Sequence, residues 1–229
     1  MNYFAHGRDY LDEPYFLAGT AIPDWLSVVD RRLRARRRRV EPFLQATDPR
    51  LVQVAGGILQ HLEDDRWFHQ TRAFAETSLQ LTVLVRDQLP ADDGFRPSFL
   101  GHILVEILLD AQLIRAAPAQ LDAYYAALSA VDPTRLGGFI QQMVAQPADL
   151  LPAFISRFLA VRFLYDYLDD EKLLGRLNQV MRRVRLTPLP CHFLTILPKA
   201  RNCIRERSAE LLDGGSDRLQ AVVLPGEKR

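Results

Sequence analysis

The sequence contains only two cysteines among 229 residues, Cys191 and Cys203, and they do not form a C-x-x-C pair. This excludes a disulfide-stapled scaffold, and a chain of this length can bury a sufficient core without disulfides or structural metals. The first residues carry His6, Arg8 and Asp9 where a signal peptide would have an apolar segment. We therefore expect a reducing, cytoplasmic location.

Long hydrophobic runs and alternating β-branched segments are also scarce. The longest apolar stretch, residues 99–114, is interrupted by His102, Glu106 and Asp110, and it falls short of the roughly 20 apolar residues that a membrane span requires. Apolar residues instead recur at three- and four-residue spacing, which is typical of helices that pack on one face. The sequence predicts an all-α fold with no membrane span: a single-domain helical bundle over residues 1–213, followed by a flexible tail at 214–229.

Prolines separate the helical patterns, since proline has no N–H group to donate inside a helix. The pattern predicts a short N-terminal helix and a loop through Asp24, then a basic segment at 28–40. Further helices are predicted at about 50–89, 97–115, 118–129, 133–145, 152–185 and 190–212.

Net charge is also small, because 29 basic residues face 28 acidic ones and leave a formal charge of +1. The bases are nearly all arginine and seven of them fall within residues 31–39, so the rest of the chain sums to −6. The alternatives are a basic surface for an acidic partner and a solvated basic loop; nucleic acid is disfavoured because no aromatics are interleaved. The seven are Arg31, Arg32, Arg34, Arg36, Arg37, Arg38 and Arg39.

Histidine is scarce, with five in the chain, and two of the five lie close together in the stretch HLEDDRWFH. His61, Asp65 and His69 stand at i, i+4 and i+8 of a predicted helix, which puts their side chains along one stripe. Histidine nitrogens and carboxylate oxygens together suit Mn, Fe, Zn or Mg. The alternative is a solvated helix face with His–Asp pairs.

A second stripe consists of His102, Glu106 and Asp110 in an otherwise apolar helix. Burying an ionised carboxylate is unfavourable unless it is paired or bound to a metal, so this stripe suggests partners across the core; the alternative is a polar edge that faces water. His6 and Asp24 also lie in apolar or turn-like surroundings. Besides binding metal, His6 could be a hydrogen-bonded core histidine and Asp24 a helix N-cap.

These elements together resemble the acyl carrier protein phosphodiesterases, which are unusual relatives of the HD-type metal-dependent phosphohydrolases. The matching residues are the N-terminal MNYFAH, the Gly-x-x-x-x-Asp segment from Gly19 to Asp24, His61-x-x-x-Asp65, His102 at the start of a later helix, and FLYDYLDDEKLLGRLNQVMRRV near the end. Each motif is short.

The resemblance spans roughly residues 1–185 and implies an HD-domain-like helical fold. It also implies hydrolysis of the phosphodiester that joins 4′-phosphopantetheine to a serine of holo acyl carrier protein, in fatty acid biosynthesis. The implied cofactor is a divalent metal, Mn²⁺ first, with Zn²⁺, Fe²⁺ or Mg²⁺ as alternatives. This chain departs from the family at His69, where aspartate is usual, and at Gly101, which replaces the aspartate of an Asp-His pair.

The resemblance also implies roles for individual residues. The implied catalytic residues are Asp65, His69 and His102, of which either histidine could protonate the leaving alkoxide if it is not a ligand. His69 and Glu106 are expected as extra ligands or as neighbours of the ligands. The arginine run would attract the acidic carrier protein. The implied metal ligands are His6, Asp24, His61, Asp65, His102 and Asp110.

Two other functions fit the same residues. One is hydrolysis of another phosphodiester, either a lipid substrate of the phospholipase C type or a nucleotide, since fold-level similarity does not choose a substrate. The other is a non-catalytic helical protein that acts through interactions.

Overall fold

The computed structural model describes residues 1–89 and 97–213, and the predicted tail at 214–229 lies outside the described residues. Eleven α-helices are present in these segments. They are α1 Tyr3–Gly7, α2 Pro14–Val29, α3 Arg37–Val40, α4 Pro49–Gln70, α5 Arg72–Gln88, α6 Pro97–Ala116, α7 Pro118–Ser129, α8 Pro133–Val144, α9 Leu151–Val161, α10 Asp170–Arg183 and α11 Leu197–Leu212.

The all-α prediction is confirmed, because the described part of the chain contains helices and no strand. Short 3₁₀ helices add to the α-helices at Glu41–Gln45, Phe163–Leu168 and Cys191–Thr195. Several α-helices begin at a proline, as predicted. The loop predicted through Asp24 is wrong, because α2 continues from Pro14 to Val29 with Pro23 inside it.

The single long helix predicted at 50–89 is wrong, because the chain forms α4 and α5 there. Thr71 separates the two helices with an extended backbone, at φ −72° and ψ 145°. Its side-chain oxygen accepts a hydrogen bond from the N–H of Phe74 at 3.1 Å, so Thr71 is the N-cap of α5. The apolar spacing continues across this cap, and periodicity alone therefore does not reveal it.

The helix predicted at 152–185 is also two helices, α9 and α10. Arg162 ends α9 in the left-handed region, at φ 49°, and its N–H donates to the carbonyl oxygen of Phe158 at 3.1 Å. Asp169 then caps α10 by accepting from the N–H of Lys172 at 2.9 Å. The helix predicted at 190–212 likewise begins later, with α11 at Leu197.

The basic segment predicted at 28–40 consists of the end of α2, a turn and the short helix α3. Leu33, Ala35 and Val40 are buried, whereas all seven arginines of the run are exposed. The buried side chains hold the segment against the protein, and the arginines face solvent.

The described residues form two compact units. The first unit contains Tyr3–Arg66 and Pro118–Arg162, and the second contains Met1–Asn2, Trp67–Ala117 and Phe163–Asp213. The prediction of one domain stays a prediction.

The first unit has a core of large aromatic and aliphatic side chains. Phe4, Trp25 and Tyr124 are buried, and the rings of Phe4 and Tyr124 meet edge to face at 5.8 Å between centroids. Trp25 packs in the same manner on Phe158 at 5.2 Å. Burial of such side chains stabilises the fold by about 1.5–3 kcal/mol each.

The second unit is built on α5 and α6, which pack along each other, with α11 against both. Phe68, Leu81, Leu104 and Phe193 fill its core. Helix α6 is long and apolar enough to span a membrane by length and composition, and 61% of its most apolar window is buried. A core helix meets the same criteria, so the helix is weak evidence for a membrane span.

Two glycines let α2 and α4 approach closely in the first unit. A Cβ atom added at Gly57 would lie 2.9 Å from both the Cα of Gly19 and the backbone nitrogen of Thr20, and closer still to the carbonyl oxygen of Phe16. Backbone atoms cannot move aside as a flexible side chain can. Both helices therefore need glycine at this crossing.

We predict that Gly57→Ala destabilises the protein by about 1–3 kcal/mol, because the added methyl group overpacks a backbone contact. Gly138→Ala is the matched control, since Gly138 lies exposed in helix α8 with nothing within 4 Å of an added Cβ. The control should be neutral or stabilising by up to about 1 kcal/mol. Urea unfolding measures both changes, and equal stabilities of the two variants would contradict the close crossing.

Candidate metal-binding groups

Histidine and carboxylate side chains converge in two places in the described residues. In each place three residues offer one ligand atom apiece, and these atoms lie within 4.8 Å of one another. We refer to the places as the His6 group, in the first unit, and the His69 group, in the second. The His6 group is His6, His61 and Asp65, and the His69 group is His69, His102 and Glu106.

In the His6 group, two imidazole nitrogens face one carboxylate. Nε2 of His6 lies 3.2 Å from Oδ1 of Asp65, and Nε2 of His61 lies 3.6 Å from Oδ2 of the same residue. The two rings stack with their centroids 4.0 Å apart. Both histidines are buried, whereas the Asp65 side chain is 33% exposed, so the group is open to solvent on the carboxylate side.

The opposite nitrogen of each ring is held by an acceptor. Nδ1 of His61 donates to the carbonyl oxygen of Thr20 at 2.8 Å, and Nδ1 of His6 donates to Asp64 at 3.3 Å. Gln60 donates to the other oxygen of Asp64 at 3.0 Å. Histidines that bind metals are held in the same way, because an acceptor at one nitrogen fixes the ring and turns the other nitrogen toward the metal.

The carboxyl group of Asp65 is ionised in this setting. Burial alone would raise its pKa, but hydrogen bonds from His6 and His61 outweigh burial and hold the pKa well below its ordinary value. A carboxylate in this state offers an oxygen lone pair to a cation.

The His69 group is built on one shared oxygen atom. Oε1 of Glu106 lies 2.8 Å from Nε2 of His69 and 3.2 Å from Nε2 of His102. Phe74 touches both imidazoles nearly edge to face, at 4.8 and 4.9 Å between centroids. The side chains are 31%, 43% and 21% exposed for His69, His102 and Glu106, so this group is more open than the His6 group.

Glu106 is also ionised. Burial opposes its charge, but the amino group of Met1 and hydrogen bonds from His102 and His69 lower its pKa to about 2. The Met1 nitrogen lies 3.6 Å from Oε1 of Glu106.

The close contact between α6 and α5 requires a glycine at position 101. A Cβ atom at Gly101 would lie 2.7 Å from the carbonyl oxygen of Ser78 and 2.8 Å from the nitrogen of Thr82, across the contact between α6 and α5. The aspartate that the resembled family has at this position does not fit here. In this chain Glu106, from a later turn of α6, supplies the acid beside His102.

The residues predicted from the two stripes are therefore distributed differently. His61 and Asp65 join His6, but His69 belongs to the other group, with His102. A step of four residues turns about 40° around a helix, and a step of eight turns about 80°. Side chains at i and i+4 can therefore bind the same metal ion, whereas the side chain at i+8 faces a different direction.

Asp24 and Asp110 belong to neither group. Asp110 is fully buried in α6, eight residues after His102 and subject to the same rotation. Asp24 is not an N-cap, because α2 begins at Pro14 and continues to Val29. Both are predicted as metal ligands, and for both that role stays a prediction, since neither is a member of the two groups of converging ligand atoms.

Sequence reasoning missed the residues that hold the histidines in place. Asp64 is the first of two adjacent aspartates, and Gln60 stands four residues before it, so the i, i+4 spacing was a usable signal. The carbonyl group of Thr20 gave no signal, because a backbone acceptor depends only on how two helices cross.

The arginine run makes several contacts within the first unit. Arg32 pairs with Asp30 at 2.8 Å, and Arg37 pairs with Glu63 at the same distance. Arg39 donates to the carbonyl oxygen of Val144. Glu63 lies between His61 and Asp65 in sequence, so the Arg37 pair ties the run to the helix that carries the His6 group.

We predict that Asp64→Ala destabilises the protein by about 1–3 kcal/mol, because two buried donors, from His6 and Gln60, lose their acceptor. Glu63→Ala, at the preceding position, removes only surface pairs with Arg37 and Arg66 and should change stability by about 1 kcal/mol or less. Urea unfolding in the presence of EDTA measures both without a contribution from metal. Equal effects would contradict the buried network.

No family model, no curated protein and no solved structure matches this chain.

Proposed function

We propose that this protein is a metal-dependent phosphodiesterase whose metal ion is held by His6, His61 and Asp65. The observation that carries the proposal is the convergence of two imidazole nitrogens and one carboxylate oxygen within 4.8 Å. Each histidine is oriented by a hydrogen bond at its other nitrogen.

The donor set fits a divalent cation of intermediate hardness. Two histidines and one carboxylate bind Zn²⁺, Fe²⁺ or Mn²⁺ and leave coordination positions for water and substrate. Such an ion supplies a water of lowered pKa and positive charge beside the phosphoryl oxygens. Asp65 is the exposed member of the group, so substrate would approach from its side.

The resemblance to acyl carrier protein phosphodiesterases supports the choice of substrate. His6, Asp24, His61, Asp65 and His102 are residues that carry the resemblance, and two of the motifs meet in the His6 group. We propose the phosphodiester of holo acyl carrier protein, with the Mn²⁺ form as the first to test. The general acid role of His69 or His102 stays a prediction.

The arginine run supports an acidic partner. All seven arginines are exposed, and Arg36 and Arg38 form no ion pair within the described part of the chain. The pair of Arg37 with Glu63 connects the run with the helix that bears His61 and Asp65. An acidic carrier protein that bound these arginines would lie beside that helix.

The proposed function predicts activity and metal binding together. Protein purified without a polyhistidine tag, stripped and reloaded with Mn²⁺, should release phosphopantetheine from holo acyl carrier protein. His61→Ala and Asp65→Asn should reduce release to background and lower the metal content, because each removes a ligand. His192→Ala, an exposed histidine outside both groups, should retain full activity.

The outcomes separate the competing functions. Hydrolysis of bis(4-nitrophenyl) phosphate without release of phosphopantetheine would support another phosphodiester substrate. Absence of bound metal and of both activities, with no effect of EDTA on thermal stability, would overturn the proposed enzymatic function. It would favour the non-catalytic interaction protein.

The proposed function also predicts a docking surface for the carrier protein. Charge reversal at Arg36 and Arg38 should lower kcat/KM for the carrier protein by about 10-fold at low salt and weaken its salt dependence, since steering is electrostatic. Hydrolysis of bis(4-nitrophenyl) phosphate should not change. Reversal of Arg182 and Arg205, two exposed arginines outside the run, is the matched control, and an equal loss in the control would contradict a specific docking surface.

A further inference from the structure

We infer that the His69 group is a second divalent-cation site, separate from the His6 group and weaker than it. It has the same kind of donors: two imidazole nitrogens and one carboxylate oxygen within 4.8 Å. The inference concerns binding alone and does not depend on the proposed catalytic activity.

The ligand atoms of the His69 group all point toward one place. Both histidines turn Nε2 toward the same atom, Oε1 of Glu106, at 2.8 Å for His69 and 3.2 Å for His102. A cation placed among the three atoms would replace these two hydrogen bonds with metal–ligand bonds. Only small side-chain shifts are needed, because zinc ligands lie about 2.0–2.2 Å from the metal.

Aromatic side chains hold the two imidazole rings of the His69 group. Phe74 packs on both imidazoles, and Phe68 contacts Phe74 and His69 at 4.9 and 5.7 Å between centroids. This aromatic wall limits rotation of the rings, and the exposed fractions leave a path from solvent to the group. An open site with oriented ligands can exchange its ion.

The His69 group has fewer outer hydrogen-bond partners than the His6 group, which makes it the weaker site. In the His6 group, protein acceptors hold Nδ1 of both rings, whereas no protein acceptor in the described residues holds Nδ1 of His69 or His102. Loss of such outer partners lowers metal affinity by about 10- to 100-fold. The amino group of Met1, 3.6 Å from Glu106, adds a positive charge that opposes a cation.

The ligand class follows from the donors. Two histidines and a glutamate favour Zn²⁺ and other first-row transition ions over Ca²⁺ or Mg²⁺, which prefer sites made of oxygen atoms alone. Zn²⁺ is therefore the probe for affinity, and Co²⁺ is the spectroscopic probe.

The test is a Zn²⁺ titration of the stripped, untagged full-length protein by isothermal calorimetry, with Co²⁺ absorption in parallel. We expect two binding events per chain, the second about 10- to 100-fold weaker than the first. Glu106→Gln and His102→Gln should remove only the weak event. His61→Ala should remove only the tight event, and His192→Ala should remove neither.

Two results would overturn the inference. One is a wild-type curve that lacks the weak event or is unchanged in Glu106→Gln; the other is loss of both events in folded Glu106→Gln, which would mean one shared site. Circular dichroism verifies folding, and His102→Gln, at the most exposed member of the group, serves if Glu106→Gln unfolds. A wild-type titration curve that shows only the weak event would instead count against the proposed function.

Discussion

The close crossing of α2 and α4 is the constraint on which the His6 group depends. Gly19 and Gly57 remove the side chains that would separate the two backbones, and the carbonyl oxygen of Thr20 thereby comes within 2.8 Å of Nδ1 of His61. That hydrogen bond leaves Nε2 of His61 for Asp65 or a metal ion. The chemistry of one imidazole thus follows from the size of two residues that have no functional group.

The same group shows how a buried polar cluster can be stable without a ligand and still be suited to bind one. His6, His61 and Asp65 pair their polar atoms with one another, which offsets the cost of burying them. Asp64 and Gln60 extend the network behind His6. A bound ion would replace the contacts between Nε2 of the histidines and Asp65, and the hydrogen bonds at Nδ1 would remain.

Much of this arrangement is readable from the sequence, and the rest depends on packing. The helical class follows from apolar spacing, and the pairing of His61 with Asp65 follows from the i, i+4 rule. The breaks at Thr71 and Arg162 were missed because the apolar pattern continues across them, and one capping hydrogen bond or one left-handed residue decides the outcome. The stripes do not coincide with the two groups, since His69 joins His102 and Asp110 is a member of neither group; a step of eight residues turns about 80° around a helix.

Convergence in three dimensions was the least predictable feature. His6 lies far from His61 in sequence, and only the packing of the first unit puts their rings 4.0 Å apart. Gly101 replaces the aspartate of the resembled family, and the close contact with Ser78 and Thr82 excludes any side chain there. Glu106 then supplies a carboxylate from a position that the resembled family does not mark.

The proposed function requires that His6, His61 and Asp65 bind one divalent ion. A crystal structure of the protein soaked or grown with Mn²⁺ or Zn²⁺, with anomalous data collected at the metal edge, tests this claim most directly. The account predicts a peak about 2.0–2.2 Å from Nε2 of both histidines and from an oxygen of Asp65, with the Nδ1 hydrogen bonds to Thr20 and Asp64 unchanged. An intact His–Asp cluster with no peak, at metal concentrations that saturate the protein in solution, would contradict it.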